Sequence, residues 1–242
     1  MARIEELAAK INEARTIRHE SAEKSDELYR GHAGQLFTYL TERYPPRTFG
    51  SFSAHVTSGP RNWAKHYEDT GYRFYRVQDI GPFGNVSGDL KVFITPPPGD
   101  QGRSAMLETG DLMLVITGAT VGRVGLYRAG LEPGFVNQHV AICRLPSDEV
   151  QAEFALWGLR TPDGQKQLLR QKYGQGKPGL NLSNIRNLSL PFPPLIDQRR
   201  IVAELDALQA QVYTVKKLQA ETAVELDALL LSILDRAFSG HL

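Results

Sequence analysis

The chain has 242 residues, 41% of them hydrophobic, and a formal net charge of +1. This length allows one large domain or two small ones with a buried core. The single cysteine, Cys143, excludes a disulfide framework and a cysteine-based zinc site, and we expect it to be a small buried residue. The charged first residues and the absence of any run of about 18 apolar residues predict neither a signal peptide nor a membrane span, so a cytoplasmic location is expected.

The charge is distributed unevenly along the chain. Residues 1–44 carry a net charge of −1, residues 45–195 carry +4 and residues 196–242 carry −2. A mildly basic middle between mildly acidic ends gives limited support for a nucleic-acid partner.

The first predicted element is a long helix whose pattern returns at the other end of the chain. A shift of 201 positions aligns residues 3–37 with residues 204–238 without a gap. In both segments apolar residues alternate by three and four positions, which is typical of a coiled-coil seam. The predicted interface residues are Ile4, Leu7, Ile11, Leu205, Leu208, Val212 and Val215.

The seam becomes polar at the next two positions of both copies, which hold Arg18 and Ser21 in one and Gln219 and Thr222 in the other. Polar seam residues can fix the register of two helices at a cost in stability. The alternative is that two unrelated amphipathic helices happen to share a phase. The repeat favours two long antiparallel helices packed through the matched heptads.

The middle of the chain reads as strands separated by glycine-rich loops. An α+β pattern without regular strand–helix alternation is predicted for it. The predicted strands are Phe74–Ile80, Asp111–Thr117, Arg123–Tyr127 and His139–Leu145, and the predicted helices are Ser147–Arg160, with Ser147 as N-cap, and Asp163–Gln171.

An abrupt junction precedes the last helix. The alternation of apolar and polar residues over Ile185–Leu190 predicts a strand. The prolines within Pro191–Pro194 cannot continue a strand ladder and fix an extended exit. Pro194 suits the start of a helix, and Asp197 then lies in its first turn, where a negative charge is favourable. A following helix of about 40 residues would be roughly 60 Å long, which suggests a spacer or a surface for partner chains.

Three loops of the middle segment combine glycines with basic and amide side chains. Loop one is Thr57–Tyr67, loop two is Thr117–Gly125 and loop three is Lys172–Asn184. Glycine lets the backbone approach a ligand closely, Arg and Lys can meet phosphate or guanine, and Asn and Gln can meet adenine. The alternative is that these are ordinary solvated connections. The candidate DNA-binding residues are Arg61, Asn62, Lys65, Thr117, Thr120, Arg123, Lys172, Tyr173, Gln175 and Lys177.

Signatures of enzymes are sparse. The stretch TGATVGR lacks the glycine spacing and the Gly-Lys-Ser/Thr ending of a phosphate-binding loop. There is no G-x-S-x-G nucleophile elbow, and the six histidines show no metal-ligand spacing. His55, His66 and His139 are interpreted as structural residues. Asn137 and Gln138 have no nucleophile nearby in sequence, so no catalytic residue, metal or cofactor is predicted.

Several of these segments, in this order, resemble the specificity subunit of Type I restriction–modification systems. The junction LSLPFPPLIDQRRIVAELDAL is similar to the family's strand–proline–helix pattern, written Ile-Pro-Leu-Pro-Pro-x-x-Glu-Gln-x-x-Ile, with Phe192 and Asp197 as mild departures. The segments VTSGPRNW, YRVQDIGPFGNV, LETGDLMLVITGATVGRVGLY and FVNQHVAI resemble its other motifs. The resemblance covers most of residues 50–240.

The resemblance implies an architecture and a role. Such subunits carry two target-recognition domains, each reading half of a bipartite DNA site, separated by two long antiparallel helices that set the gap. The helices dock adenine-methyltransferase (modification) subunits, a restriction/translocase subunit can join, and the specificity subunit itself catalyses nothing. This chain has one recognition domain. It is therefore expected to be a natural half-subunit that dimerises, a piece of a split subunit or an engineered fragment, and the sequence leaves these open.

The predicted fold is α+β, with one globular target-recognition domain over residues 45–194 flanked by two long antiparallel coiled-coil helices over 1–44 and 195–242. The predicted function is a sequence-specific DNA-recognition subunit that binds double-stranded DNA and pairs with itself or with a second half-specificity subunit. The alternative function is a protein-interaction adaptor with helical arms and no DNA binding, which the near-neutral charge supports. An adjacent adenine-methyltransferase gene would favour the first.

Overall fold

Two long helices begin and end the computed structural model, which describes residues 2–88, 90–97, 102–171 and 179–239. Helix α1 spans Ala2–Arg43 and helix α5 spans Leu195–Phe238, so the two long helices predicted from the heptads are confirmed. By compactness the chain divides into a helical unit, Met1–His32 with Ala203–Leu242, and a mixed unit, Ala33–Val202. The predicted domain limits, at residues 44/45 and 194/195, stay a prediction.

Within the helical unit the two helices are antiparallel. The amide of Gln219 lies 3.1 Å from the Ser21 hydroxyl, and His32 Nε2 lies 3.0 Å from a carboxylate oxygen of Glu204. Residue numbers fall along one helix as they rise along the other, which fixes the direction. The polar seam residues Ser21 and Gln219 therefore meet, as matched seam positions of two antiparallel helices can.

The predicted seam residues differ in burial. Ile11 and Leu205 are buried, with 6% and 1% of their surfaces exposed. Leu208 and Val212 are half-buried, whereas Val215 is 42% exposed. The side chains of Ile4 and Leu7 lie outside the described part of the molecule. A coiled-coil interface through all seven residues stays a prediction.

The mixed unit holds ten short strands and three short helices among its described residues. The strands are β1 Arg47–Thr48, β2 His55–Ser58, β3 Tyr67–Glu68, β4 Tyr72–Tyr75, β5 Phe93–Ile94, β6 Leu112–Val115, β7 Val124–Leu126, β8 Gly134–Val136, β9 Val140–Arg144 and β10 Ser189–Leu190. The helices are α2 Ala152–Arg160, α3 Pro162–Arg170 and α4 Leu182–Arg186.

The strands form two four-stranded sheets and one two-stranded pair. The first sheet has the order β2-β9-β6-β7, and all its neighbours are antiparallel. The second has the order β3-β5-β4-β8, in which β4 and β8 run parallel. Strands β1 and β10 pair with each other. Every side chain of β6 is buried, as the apolar run over the predicted strand Asp111–Thr117 indicates, and Cys143 on β9 is also fully buried.

The predicted strand over Phe74–Ile80 is only partly right. Strand β4 ends at Tyr75, and Val77–Asp79 forms a 3₁₀ turn. The cause is the buried Asp79 carboxylate, which accepts a hydrogen bond from the Arg76 backbone N–H (2.7 Å) and pairs with the Arg73 guanidinium (2.8 Å). These contacts curl the chain, because an unpaired buried carboxylate would be costly.

The prediction of Ser147 as the N-cap of the next helix is wrong. Helix α2 begins five residues later, and Gln151 precedes it in extended conformation (φ −74°, ψ 119°). The Gln151 backbone N–H donates to the side-chain oxygen of Gln198 (2.9 Å), whose amide nitrogen donates to the Glu149 carbonyl (3.0 Å). The side chain of Gln198, distant in sequence, therefore fixes the backbone on both sides of Val150, and α2 begins only after this segment. The next predicted helix, Asp163–Gln171, corresponds to α3.

The predicted strand over Ile185–Leu190 is also partly wrong. Ile185 lies in the short helix α4, and only Ser189–Leu190 is extended. Asn181 caps this helix, since its side-chain oxygen accepts from the Asn184 N–H (2.8 Å) and the Asn184 side chain accepts from the Asn181 N–H (2.8 Å). This reciprocal capping offers the backbone an alternative to a strand ladder.

The proline junction packs into an aromatic cluster of the mixed unit. The Phe192 ring lies 4.8 Å from the Phe52 ring and 6.0 Å from the Phe154 ring, measured between centroids. The backbone N–H groups of Asp197 and Gln198 both donate to the Pro194 carbonyl, which starts α5. The first turn of α5 is therefore anchored at the proline junction, and Asp197 lies in this turn, as expected.

Among the described residues, no helix is long and apolar enough to cross a membrane. In the same part of the chain, no group of three or more His, Cys, Asp and Glu side chains is arranged to hold a metal ion.

Candidate nucleic-acid interface

The predicted loops are positioned by one end of the first sheet. Because neighbouring strands are antiparallel, the C-terminal ends of β2 and β6 lie beside the N-terminal ends of β9 and β7. At these strand ends the register places Ser58 opposite Ala141 and Val140 opposite Val115. We call this end of the sheet the loop end.

Loop one leaves β2 at the loop end and is held tightly against it. The Gly59 N–H donates to the Val140 carbonyl, and a Cβ on Gly59 would lie only 2.0 Å from the Val136 carbonyl oxygen, so only glycine fits. The following Asn62 has a left-handed backbone (φ 63°). The Trp63 ring then packs against Phe74 and Phe135 of the second sheet, with centroids 6.3 and 5.5 Å away.

The candidates of loop one are Arg61, Asn62 and Lys65, and all three are exposed. Because the loop is fixed at Gly59 and again at the buried Trp63, its polar side chains are presented on a defined backbone rather than on a free segment.

Loop two connects β6 to β7 at the same end. The Ile116 N–H donates to the His139 carbonyl (2.9 Å), and the Gly122 N–H donates to the Val115 carbonyl (3.0 Å). Gly118 and Gly122 have φ values of +107° and +94°, which a residue with a side chain rarely adopts. The candidates Thr117 and Thr120 are half-buried, whereas Arg123 is exposed.

Loop three returns to the same place. Gly179 forms a β-bridge with Thr117, and the Leu180 N–H donates to the Ile116 carbonyl (2.9 Å). The candidates Lys172, Tyr173, Gln175 and Lys177 lie outside the described residues. The structure therefore brings the end of loop three to loop two without placing those four side chains.

A further turn, Asn137–His139, lies at the loop end between loop one and loop two. It connects β8 to β9, and its neighbours are Gly59 of loop one and Ile116 of loop two. The Gln138 side chain is exposed at the tip of this turn. Asn137 and Gln138 have no nucleophile nearby in sequence and are not among the predicted DNA-binding residues, although an Asn-Gln pair directly before a buried strand is an available signal.

The opposite end of the same sheet is occupied by internal ion pairs. Arg144 donates to both carboxylate oxygens of Asp111, at 2.7 and 2.8 Å, and also pairs with Glu108. The hydrogen bonds that Arg144 donates to Asp111 are the main reason that the pKa of Arg144 is raised above its ordinary value. Its cation is therefore committed to the fold.

Comparison with known proteins now adds the family. Residues 99–224 match the model of the Type I restriction modification DNA specificity domain, which is more than half of the chain. The chain belongs to this family. The match includes loop two, the Asn137–His139 turn, loop three and the proline junction.

Two curated relatives are specificity subunits of Type I restriction enzymes. The EcoBI subunit of Escherichia coli is 27% identical over 71% of this chain and 36% of its own length. The MjaVIII subunit of Methanocaldococcus jannaschii is 19% identical over 63% of this chain and 36% of its own length. The chain thus aligns with little more than a third of each of these relatives.

Solved structures of specificity subunits resemble the whole chain. A chain from a structure on complex assembly and conformational transition of a type I R-M system is 26% identical, with a TM-score of 0.76, and the match covers 100% of this chain and 58% of that one. The HsdS subunit from Thermoanaerobacter tengcongensis is also 26% identical, with a TM-score of 0.63 over 100% of this chain and 57% of that one. The α+β fold with long helical arms is thereby confirmed, and the chain spans somewhat more than half the length of these neighbours.

Proposed function

We propose that the protein is the sequence-specific DNA-recognition subunit of a Type I restriction–modification complex and reads one half of a bipartite site. The observation that carries this proposal is the meeting of loop one, loop two, the return of loop three and the Asn137–His139 turn at one end of one sheet. Membership in the DNA specificity family supplies the ligand class.

The charges of the loop end suit a nucleic-acid backbone. Arg61, Lys65 and Arg123 are exposed, and in the described part of the molecule none of them forms a salt bridge. Free cations at such an edge can neutralise phosphates and fix the orientation of the protein, whereas base-edge contacts carry the sequence information. The cations committed to ion pairs, such as Arg73 and Arg144, are not part of this interface.

We further propose that the helical unit binds the other subunits. Several apolar side chains of this unit are exposed in the isolated chain, a pattern that marks interaction surfaces when it is contiguous. They are Ile17 (59% exposed), Leu218 (56%), Val224 (70%), Leu229 (50%) and Leu231 (69%). The partners proposed are adenine-methyltransferase subunits, a restriction/translocase subunit, and a second copy or a second half-specificity subunit.

The chain is proposed to catalyse nothing by itself. Methyl transfer would be supplied by the methyltransferase subunit, and this chain would select where it occurs. A cytoplasmic location belongs to the same proposal, because the DNA substrate lies there.

The deciding experiment is to express the chain with its methyltransferase subunit in a host that lacks adenine methylation and to sequence the methylome. A bipartite methylated motif that disappears without this chain is expected. Arg61→Ala and Arg123→Ala distinguish the roles of the two cations. Loss of a guanine contact should cost about 1–3 kcal/mol of discrimination at one position, whereas loss of a phosphate contact should weaken all sequences alike.

The protein-interaction adaptor remains the alternative, and the exposed apolar residues of the helical unit favour it as much as they favour subunit docking. Under that alternative, the methylome would be the same with and without the chain, and the purified complex would bind DNA no better than the methyltransferase alone. If both Arg61→Ala and Arg123→Ala left binding and motif intact, the assignment of the loops would be wrong.

A further inference from the structure

The backbone of the Asn137–His139 turn is held by several hydrogen bonds. The Asn137 N–H donates to the Tyr75 carbonyl (2.9 Å), its side-chain oxygen accepts from the His139 N–H (3.0 Å), and its carbonyl accepts from the Val140 N–H (3.1 Å). Gly59 lies against the same backbone with no space for a side chain. A turn so constrained holds the Cα of Gln138 at a defined place.

The side chain of Gln138 is partly fixed as well. Its Nε2 lies 3.1 Å from His139 Nε2, within hydrogen-bonding distance, while the residue remains exposed. An exposed glutamine normally loses rotamer freedom on binding, and a contact that already restricts it reduces that cost. The amide is therefore available to a ligand and partly preorganised for it.

The position of the turn in the sheet separates it from the cations. Strand β9 lies between β2, which leads into loop one, and β6, which leads into loop two. With strands about 4.8 Å apart, the edge from β2 to β7 spans roughly 14 Å. The major groove of B-DNA is about 12 Å wide. Cations carried by loop one and by Arg123 would then meet the two phosphate backbones, while Gln138 at the centre of the edge would face the groove.

We propose that Gln138 reads an adenine in the DNA half-site, with His139 as the residue that positions its amide. A glutamine amide can donate to adenine N7 and accept from its N6 amino group in the major groove, which no other base edge permits in the same way. The inference rests on the proposed function as a DNA reader and adds the residue and the base that it recognises.

The test uses the complex with the methyltransferase subunit and reads the methylated motif of each variant. In Gln138→Ala, one adenine position of the recognised half-site, distinct from the methylated one, should become degenerate. The share of wrong bases there should rise roughly ten- to a hundredfold. In Gln138→Glu, the preference at that position should move toward cytosine, because a carboxylate accepts from the cytosine amino group. Gln35→Ala, at an exposed glutamine of α1, is the matched control and should leave the motif unchanged.

The outcomes separate the two proposals. A wild-type complex without any motif would defeat the proposed function, and this inference with it. A wild-type motif that Gln138→Ala and Gln138→Glu both leave unchanged would defeat the inference alone. Equal weakening at every position would show that Gln138 contacts the phosphate backbone and reads no base. Thermal denaturation shows that each variant is folded, which is expected for an exposed residue.

Discussion

Replacement of Gln198 should destabilise the mixed unit far more than its position near the start of a long helix suggests. The side chain is fully buried and bonds three backbone groups. Its oxygen accepts from the Gln151 N–H (2.9 Å), and its amide donates to the carbonyls of Glu149 (3.0 Å) and Pro193 (2.8 Å). It thus joins the first turn of α5, the start of α2 and the proline junction.

The magnitude follows from those three bonds. At about 1 kcal/mol of net stability for each, Gln198→Ala should lower the free energy of unfolding by about 3 kcal/mol. For a unit of this size, about 2–4 °C of melting temperature corresponds to 1 kcal/mol, so the midpoint should fall by roughly 6–12 °C.

Gln198→Glu tests the direction of the hydrogen bonds. The new carboxylate would keep the acceptor for the Gln151 N–H but would face the carbonyl oxygens of Glu149 and Pro193. At neutral pH it should therefore destabilise at least as much as alanine. Burial would raise the pKa of the new carboxyl, so it would become protonated as the pH falls and could then donate one bond. Its deficit relative to wild type should shrink toward acidic pH.

Thermal denaturation followed by circular dichroism measures both variants. Gln211→Ala is the matched control, because Gln211 is exposed on the same helix and the substitution changes helix propensity equally. If Gln198→Ala lowered the midpoint no more than Gln211→Ala, the three hydrogen bonds would not hold the junction, and the account of the delayed start of α2 would be wrong.

Four further predictions concern other parts of the chain. Burial raises the pKa of the Cys143 thiol to about 12, so the folded protein should react slowly with a disulfide reagent at neutral pH, and addition of denaturant should make the reaction fast and complete. Leu208→Asp places a charge in the predicted coiled-coil seam and should dissociate the proposed assembly of this chain with its partner subunits. An unchanged mass by light scattering would contradict the predicted seam. One heptad inserted after Ser21 and another after Gln219, which lie opposite each other, should lengthen both helices by about 10 Å and widen the unread gap of the motif by about three base pairs. Altered half-sites with a fixed gap would show that the helices are not the spacer. If the chain pairs with itself, two-fold symmetry should make the two half-sites identical and inverted.

The long helices could be predicted because their signal is local and repeated. Heptad spacing over about 40 residues has few structural solutions, and the proline run before Leu195 permits only an extended exit and a new start. The apolar run of β6 and the turn chemistry of loop two are local in the same sense. The family motifs then indicated what such a combination of elements serves.

The tertiary structure decided which distant residues meet. Asp79 curls a segment that looks like a strand, and Gln198 delays a helix that begins about 50 residues earlier in the chain, because a buried polar group must find a partner wherever the fold supplies one. The sequence predicts three loops but does not predict that they meet at the loop end of one sheet. Only strand pairing between β2, β9 and β6 sets the Gln138 turn between them, since hydrogen bonds between strands far apart in sequence leave no local pattern to read.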